Sequence, residues 1–372
     1  MDEPFWERTY RDPGVSTFAK GPTGDLAQFC GRIAPRSSAL DVGCGEGRNA
    51  IFLAGQGHDV DAFDLSQAGI AKAQTIAARE GVRVRFWAQD LADFQFGKDY
   101  DVILSHGVLH LPEKLVRDTF IARAQARTKP GGLHFVGIFT NRRPATPDNA
   151  PFTHSLFDVG ELPAKYAGWE ILHHLEGVLQ DEHPGGLRHE HAYERVIARK
   201  KPRAKRRVYL TDGVVALAEY IQDEDDPALY ACWCDPGVQW GFNFRHTRTF
   251  DEFTARQRMR GWSAMILRCG DETPIGCVML TQEDQPPDLS IMLYPEYRGR
   301  GYGPRAFALG ARYCGETLKL ERVYAGCYPY NLASMKMIAS CGFVRHPEGD
   351  IREQSKFTGE EIIQLDFVKD LR

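Results

Sequence analysis

The 372-residue chain has no apolar run of the roughly 18–20 residues that a membrane-spanning helix needs. It has no excess of charge of one sign: 46 Lys and Arg stand against 50 Asp and Glu, a formal net charge of −4. A nucleic-acid footprint rests on a basic excess, so the overall balance argues against that class. There is no internal repeat and no low-complexity tract. The first residues, MDEPFWERTYRDP, are charged and aromatic without an apolar signal core, which points to a cytoplasmic protein. A paired cysteine framework is also missing. The nine cysteines are scattered and odd in number, and most read as buried small apolar side chains. Cys232 and Cys234 flank Trp233, but no further soft ligands follow at metal-site spacing.

What is present is an ordinary globular composition, 43% hydrophobic and 26% charged, in a length that favours two domains. Composition shifts most sharply from Arg195 to Arg207, RVIARKKPRAKRR, where eight of thirteen residues are Lys or Arg. The stretch reads as a strand, Ala192–Arg199, running into a solvated connector. Docking on the acidic stretch Asp223–Asp226, or contact with a phosphate, are the alternatives. The expected division is a domain at 1–201, a linker at 202–207 and a domain at 208–372.

The first half alternates strand and helix. Strands are expected at Ala39–Val42, Asp59–Asp64, Val82–Ala88, Asp101–Ser105 and Leu133–Phe139. Helices are expected at Arg48–Gly55, from the Ser66 cap through Ala78, and at Leu115–Thr128, the last ended by the turn Lys129–Gly132. Apolar strands in this order indicate an α/β fold, a parallel sheet covered on both faces. The second half reads as α+β: a short helix Val214–Ile221, strands Trp262–Arg268, Ile275–Thr281 and Leu289–Tyr294, a helix Pro304–Leu318, a strand Arg322–Cys327, a helix Asn331–Cys341 and a final strand Glu361–Val368.

The sharpest N-terminal signal is Leu40-Asp41-Val42-Gly43-Cys44-Gly45-Glu46-Gly47-Arg48. Glycines at a strand-to-helix turn allow close backbone approach, and the following helix offers free amides. Asp64 ends the next strand, at the spacing where an acid takes ribose hydroxyls. Asp90-Leu91 and Ser105-His106 end two more strands, and ligands of open α/β sheets bind at such ends. The loop resembles motif I of Rossmann-like class I S-adenosylmethionine methyltransferases. The likeness runs from residue 1 to about 201, through the TKPGG turn, APFTHSLFDVGELPAKYAGWEIL and VIARKK, to the tellurite-resistance branch. It implies that Asp41 anchors the methionine ammonium beside Gly43, Gly45 and Arg48. It implies that Asp64 and Leu65 meet the ribose end and that Asp90 and the Leu91 amide take the adenine. Ser105 and His106 would close the site, His106 with a catalytic role, and Phe18, Lys20 and Pro22 match a lid.

A soft acceptor needs little catalysis beyond positioning, whereas an amine or hydroxyl needs a base. Candidate bases are His106, His110 and the group His183, His189 and His191. The His group reads as an acceptor pocket with His191 catalytic, as surface histidines on a hairpin with Pro184-Gly185-Gly186, or as a metal site. His-x-His puts both rings on one strand face, which suits a metal; no metal is assigned.

The second signal is Tyr294-Pro-Glu-Tyr-Arg298-Gly299-Arg300-Gly301-Tyr302-Gly303, which fits Gln/Arg-x-x-Gly-x-Gly/Ala. It follows a strand and opens a helix, an anion nest with added positive charge. It resembles the acyl-CoA loop of GNAT N-acetyltransferases. Asn331 to Phe343, NLASMKMIASCGF, is similar to the Rim-type branch, and the likeness covers about Arg207 to Arg372. It implies acetyl-CoA bound by Arg298 through Gly303 and by Asn331, Ser334 near the thioester sulfur, and Asp288 as base. Many relatives carry a Tyr that protonates the leaving thiolate; here Ile338 stands in its place. Together these readings imply a bifunctional transferase, using S-adenosylmethionine and acetyl-CoA on small-molecule acceptors, without membrane or nucleic-acid partners. Alternatives are one active domain with the other a cofactor-binding sensor or scaffold, or acetylation of protein N-termini.

Overall fold

A computed structural model of the protein describes residues 3–17, 21–146, 149–183, 187–255, 262–281 and 286–372. The chain divides into two compact units, Met1–Arg203 and Ala204–Arg372. Phe18, Lys20 and the Pro184-Gly185-Gly186 turn lie outside the described residues.

The first unit begins with α1 (Phe5–Arg11) and α2 (Gly24–Phe29). The alternating series follows: β1 (Ser38–Val42), α3 (Arg48–Gly55), β2 (Asp59–Asp64), α4 (Gln67–Arg79), β3 (Arg85–Ala88), β4 (Tyr100–His106), α5 (Lys114–Ala126) and β5 (Thr128–Phe139). The unit ends with α6 (Glu161–Ala164), β6 (Glu170–His183) and β7 (Leu187–Arg199). The Ser66 hydroxyl caps α4 by accepting from the Gly69 amide at 2.9 Å. The sheet order is β3-β2-β1-β4-β5-β7-β6, with β1 to β5 parallel and β7 antiparallel to both neighbours. The order reverses beside β1, so a crevice opens at the carboxyl ends of β1 and β4. One apolar layer contains Leu26, Leu53, Val60 and Leu104, the other Phe63, Phe120, Phe157 and Tyr166. Lys129–Gly132, expected as a turn after the helix, lies inside β5.

The second unit opens with β8 (Val208–Thr211) and β9 (Val215–Ala218). The expected helix at Val214–Ile221 is therefore corrected to a strand. A short apolar run does not distinguish the two by periodicity. Asp212-Gly213 settles it: the Asp212 carboxylate accepts from the Val214 and Val215 amides, both at 2.9 Å, and turns β8 into β9. Then come α7 (Gln222–Trp233), α8 (Pro236–Gly241), α9 (Phe250–Thr254), β10 (Trp262–Arg268), β11 (Thr273–Thr281), β12 (Asp288–Leu293), α10 (Tyr302–Glu316), β13 (Arg322–Cys327) and α11 (Leu332–Ser340). Three strands close the unit: β14 (Val344–Arg345), β15 (Ile351–Gln354) and β16 (Glu361–Asp370). The sheet runs β14-β16-β13-β12-β11-β10-β9-β8, antiparallel except at β12–β13. Helix α10 packs Phe307, Leu309 and Cys314 onto it.

Part of the basic run docks rather than remaining solvated. The Arg206 guanidinium holds Asp225 at 2.6 and 2.8 Å and Glu224 at 3.0 Å, and its side chain is 5% exposed. All nine cysteines are free thiols, and six are buried. Among the described residues no helix is long and apolar enough to cross a membrane.

Candidate functional sites

In the first unit the chain leaves β1 at Val42 and turns through three left-handed glycines before α3. A Cβ on Gly43 would stand 2.0 Å from Val108 Cγ2, and one on Gly45 2.4 Å from the Tyr10 hydroxyl. With φ of +64° and +53°, both positions demand glycine. The Cys44 amide donates to the Phe63 carbonyl at 3.0 Å, which ties the loop to β2.

Asp41 and Asp64 flank this loop. Asp41 is 2% exposed and accepts from the Ala50 amide at 3.1 Å. Burial pushes its carboxyl up to about 7, against the pull of the Ala50 amide and the Arg48 charge. Asp64 accepts from the Gly45 amide at 2.8 Å and the Ser66 amide at 2.9 Å. Burial raises its carboxyl too, with those amides opposing. Next to it Leu65 is 72% exposed. Asp90 is exposed just past β3 and accepts from the Ala92 amide at 2.8 Å. Leu91 packs against the apolar layer that contains Phe63 and Phe94.

At the end of β4, Ser105 Oγ and His106 Nε2 are buried with no hydrogen-bond partner. His106 faces Asp25 at 3.6 Å, and Asp25 is held by Arg195 at 2.9 Å. Burial lowers the His106 pKa to about 4, with Asp25 opposing and Arg195 and Arg48 adding to the drop. Burial brings His110 to about 3, with His191 and Arg117 adding. Both rings are neutral at pH 7 and are weak proton acceptors. His191, in β7, is buried and stacks on Phe139, centroids 4.1 Å apart and planes 3° apart. It lines a small recess with Arg143, Thr146, Asn149 and Thr153. His183 lies in β6, and its side chain is outside the described set.

One device is not visible in the sequence. Glu46, inside the glycine loop, accepts from Ser16 Oγ at 2.7 Å and the Thr17 amide at 3.2 Å, and pairs with Lys72 at 3.0 Å. Lys72 also donates to the carbonyls of Thr9 and Val15. Burial alone would raise Glu46; the bonds from Ser16, Lys72 and Thr17 bring it below its usual value. The N-terminal segment is thereby clasped onto the loop, with Tyr10 buried against Gly45 and Gly69. Pro22 precedes Thr23, whose amide donates to Asn49 at 2.9 Å. The buried Ser105 hydroxyl without a hydrogen bond and the Cβ-free loop fit a bound ligand.

In the second unit β12 and β13 pair at one position, Asp288 with Tyr324, and then part. Asp288 thus stands where the strands diverge. Burial, and after it Asp366, pushes its carboxyl up to about 6, against the Gly326 amide. The loop after β12 carries left-handed Gly299 and Gly301, and Gly301 caps α10 with open space at its would-be Cβ. Gly303 sits 3.4 Å, at its would-be Cβ, from Met337 Sδ. Arg300 and Tyr302 accompany them, the Arg300 guanidinium 5.9 Å from the Tyr297 ring centroid. Arg298 is engaged elsewhere, holding Asp235 at 3.1 Å and the Leu293 carbonyl at 3.1 Å. Asn331 caps α11, its oxygen accepting from the Ser334 amide at 3.2 Å. Burial pushes the Cys327 thiol up to about 11, with Ser334 opposing. Ile338 is in the core, so that position supplies no acid.

Two families match the chain. Residues 24–186 match the family described as tellurite resistance protein TehB, and residues 216–344 match the acetyltransferase (GNAT) domain. The chain is 36% identical over 146 residues to Hemagglutinin 1 of Eikenella corrodens, 39% of this chain and 48% of that protein. It is 28% identical over 180 residues to a probable S-adenosyl-L-methionine-dependent methyltransferase TehB of Haemophilus influenzae, 48% of this chain and 62% of that one. The chain thus spans about half to three-fifths of these relatives' lengths. Among solved structures, TehB from Haemophilus influenzae aligns with a TM-score of 0.44 at 24% identity, covering 53% of this chain and 67% of that chain. A GNAT acetyltransferase from Bacillus anthracis aligns with a TM-score of 0.39 at 16% identity, covering 44% and 99%. The chain joins a TehB-type methyltransferase domain to a GNAT acetyltransferase domain. Both families are enzymes, and their cofactors are S-adenosylmethionine and acetyl-CoA.

Proposed function

We propose that the chain is a bifunctional transferase, moving a methyl group to a small soft nucleophile and an acetyl group to a primary amine. The observation that carries the reading is the pair Asp41 and Asp64 flanking one glycine loop at the sheet's reversal point, Asp64 bonded to the Gly45 amide of the loop and Asp41 to the Ala50 amide of α3. The parted β12–β13 seam supports the acetyl half in the same way.

The bound sulfonium supplies an activated methyl group and the bound thioester an activated acetyl group. Asp41 holds the ammonium of the methyl donor, and Gly43 and Gly45 keep the backbone close to it. Asp64 and Leu65 take the ribose end, and Asp90 with the Leu91 amide the adenine. Neutral His106 and Ser105 close the floor, and the clasped N-terminal segment keeps water out. His191 and Arg143 line the acceptor side. A soft acceptor already carries its electron pair, so positioning suffices there.

In the acetyl half Gly299, Gly301, Gly303 and the α10 N-terminus hold the pyrophosphate. Asp288 accepts the proton that the amine loses. Asn331 shapes the start of α11, and Ser334 sits beside the thioester. The amine nitrogen would bond the acetyl carbon as the carbon–sulfur bond breaks, its proton going to Asp288 and the CoA leaving as thiolate, a step that needs no tyrosine on α11.

The experiment measures melting of the full chain with S-adenosylmethionine, its demethylated product, acetyl-CoA and CoA, each alone. A ligand at a hundred times its dissociation constant adds about 2.7 kcal/mol, a shift of a few degrees. Both pairs are expected to shift a transition, and thiol, chalcogen and amine acceptors are then screened for methyl and acetyl mass gains. A half that binds but never turns over any acceptor is a sensor or scaffold, and the bifunctional reading falls.

A further inference from the structure

The β6–β7 hairpin brings together three side chains, of which the transfer chemistry uses only His191, as lining of the acceptor side. Asp181 on β6 lies directly opposite His189 on β7, and His191 follows two residues on. In a strand, positions two apart share a face, and a directly opposed residue shares it too. All three therefore project from one side of the ribbon. Their ligand atoms lie within 4.8 Å of one another. His189 Nε2 and His191 Nε2 are 2.9 Å apart, the rings crossed at 80°.

We propose that Asp181, His189 and His191 form a binding site for a divalent first-row transition ion of the zinc type. Two imidazoles and one carboxylate are the donor set that such ions take, and three protein ligands leave a position open. Two nitrogens bound to one tetrahedral ion at about 2.0–2.1 Å stand about 3.3 Å apart, so the rings need to separate by only a few tenths of an ångström. The ring of His191 is already fixed by stacking on Phe139. Its orientation is set before any ion arrives, which is what holding a ligand requires. On the opposite ribbon face Glu190 is held by Arg143 at 3.0 Å and by Gln180, so the strand pair is locked from behind. One carboxylate against a divalent cation leaves net positive charge, and His191 also lines the recess beside Phe139. An ion here would present its open position to whatever small anion occupies that recess. The plain alternative is a His–His hydrogen bond, which uses the same two nitrogens and needs no metal. This site does not rest on the transferase reading.

The test uses untagged full-length protein, stripped with a chelator and titrated with Co²⁺ while visible absorption is followed. Zn²⁺ is then used to displace it. The expected result is one equivalent of Co²⁺, with d–d bands of low-symmetry nitrogen and oxygen coordination that Zn²⁺ abolishes. Asp181→Asn and His189→Asn should each weaken affinity by roughly tenfold or more, since even residues behind metal ligands cost that much. Melting of the ligand-free chain reports whether each variant is folded, and Asp181→Asn keeps side-chain shape should the histidine variant fail that check. No uptake by the wild-type chain at tens of micromolar Co²⁺, or equal uptake by Asp181→Asn, overturns the site and leaves the hydrogen-bonded histidine pair.

Discussion

The carboxylate of Asp64 accepts a hydrogen bond from the backbone amide of Gly45 at 2.8 Å, so the end of β2 holds the loop that leaves β1. Its other oxygen accepts from Ser66 and starts α4. Loop shape, ribose acid and helix cap are thus one hydrogen-bonded unit.

Gly43→Ala should abolish methyl-donor binding. The left-handed backbone costs an alanine roughly 1–2 kcal/mol, and its Cβ would overlap Val108. Adding Val108→Ala removes the two methyl contacts but leaves Val108 Cβ at 2.9 Å and the backbone strain, so calorimetry should show partial recovery of stability. Wild-type affinity in the single variant would refute the loop assignment.

Methyl-donor affinity should fall with acidity. Asp41 must be ionised to hold an ammonium, and its carboxyl sits at about 7 in the free protein. Below that pH the affinity is expected to drop toward about tenfold per pH unit. Asp41→Asn should bind poorly at every pH. The same raised value means that the folded state keeps this proton more firmly than the unfolded chain. Stability is then lost as pH rises from the usual carboxylate range through about 7. Asp41→Asn should therefore melt higher than wild type at pH 8, and an unchanged or lower melting point there would show that burial is not the cause.

Acetyl transfer should rise with pH through a limb near 6 in kcat/KM, as Asp288 loses its proton. Asp288→Asn should remove that limb and slow turnover by roughly 10²–10⁴, with acetyl-CoA affinity little changed. A variant that retains both rate and limb places the base elsewhere.

Glu46→Gln should release the N-terminal segment, since Glu46 is the group to which Ser16, Thr17 and Lys72 are all tied. Hydrogen exchange in the α1 amides should quicken, and methyl-donor dissociation with it. Unchanged exchange would mean that Tyr10 and the Lys72 bonds to the Thr9 and Val15 carbonyls hold the segment without Glu46.

Arg206→Ala should destabilise the second unit by roughly 3–5 kcal/mol, because it strands the buried Asp225 carboxylate. Urea melts followed by tryptophan fluorescence measure this, and Arg206→Lys should restore only part of it, having no fork to hold two carboxylate oxygens.

The alternating order of the first unit and its glycine loop were legible because both are local: strand, turn and cap signals lie within about ten residues. The clasp from Glu46 to Ser16 was not, because it joins positions thirty residues apart through side chains with no periodic signature. Val215–Ala218 reads as helix in the sequence because a buried strand and a buried helix turn look alike when every residue is apolar. Asn331 was singled out for a ligand, and its side chain caps α11; an Asn three residues before a Ser amide fits either role. The His-x-His spacing was plain, but the pairing of Asp181 across the hairpin depends on register, which spacing alone does not give.

The β6–β7 hairpin outruns its sheet. Pairing with β5 stops at Phe139 and Tyr193, while β6 and β7 go on pairing from Val178–Ala192 to His183–Leu187. Past that point the ribbon has no third strand among the described residues, and a two-stranded ribbon in water is marginal by itself. Past Tyr193 it is an arm braced by side chains, His191 stacked on Phe139 and Glu190 held by Arg143. Asp181 and His189 are a rung near the tip, so whatever ties them together sets the stiffness of the whole arm.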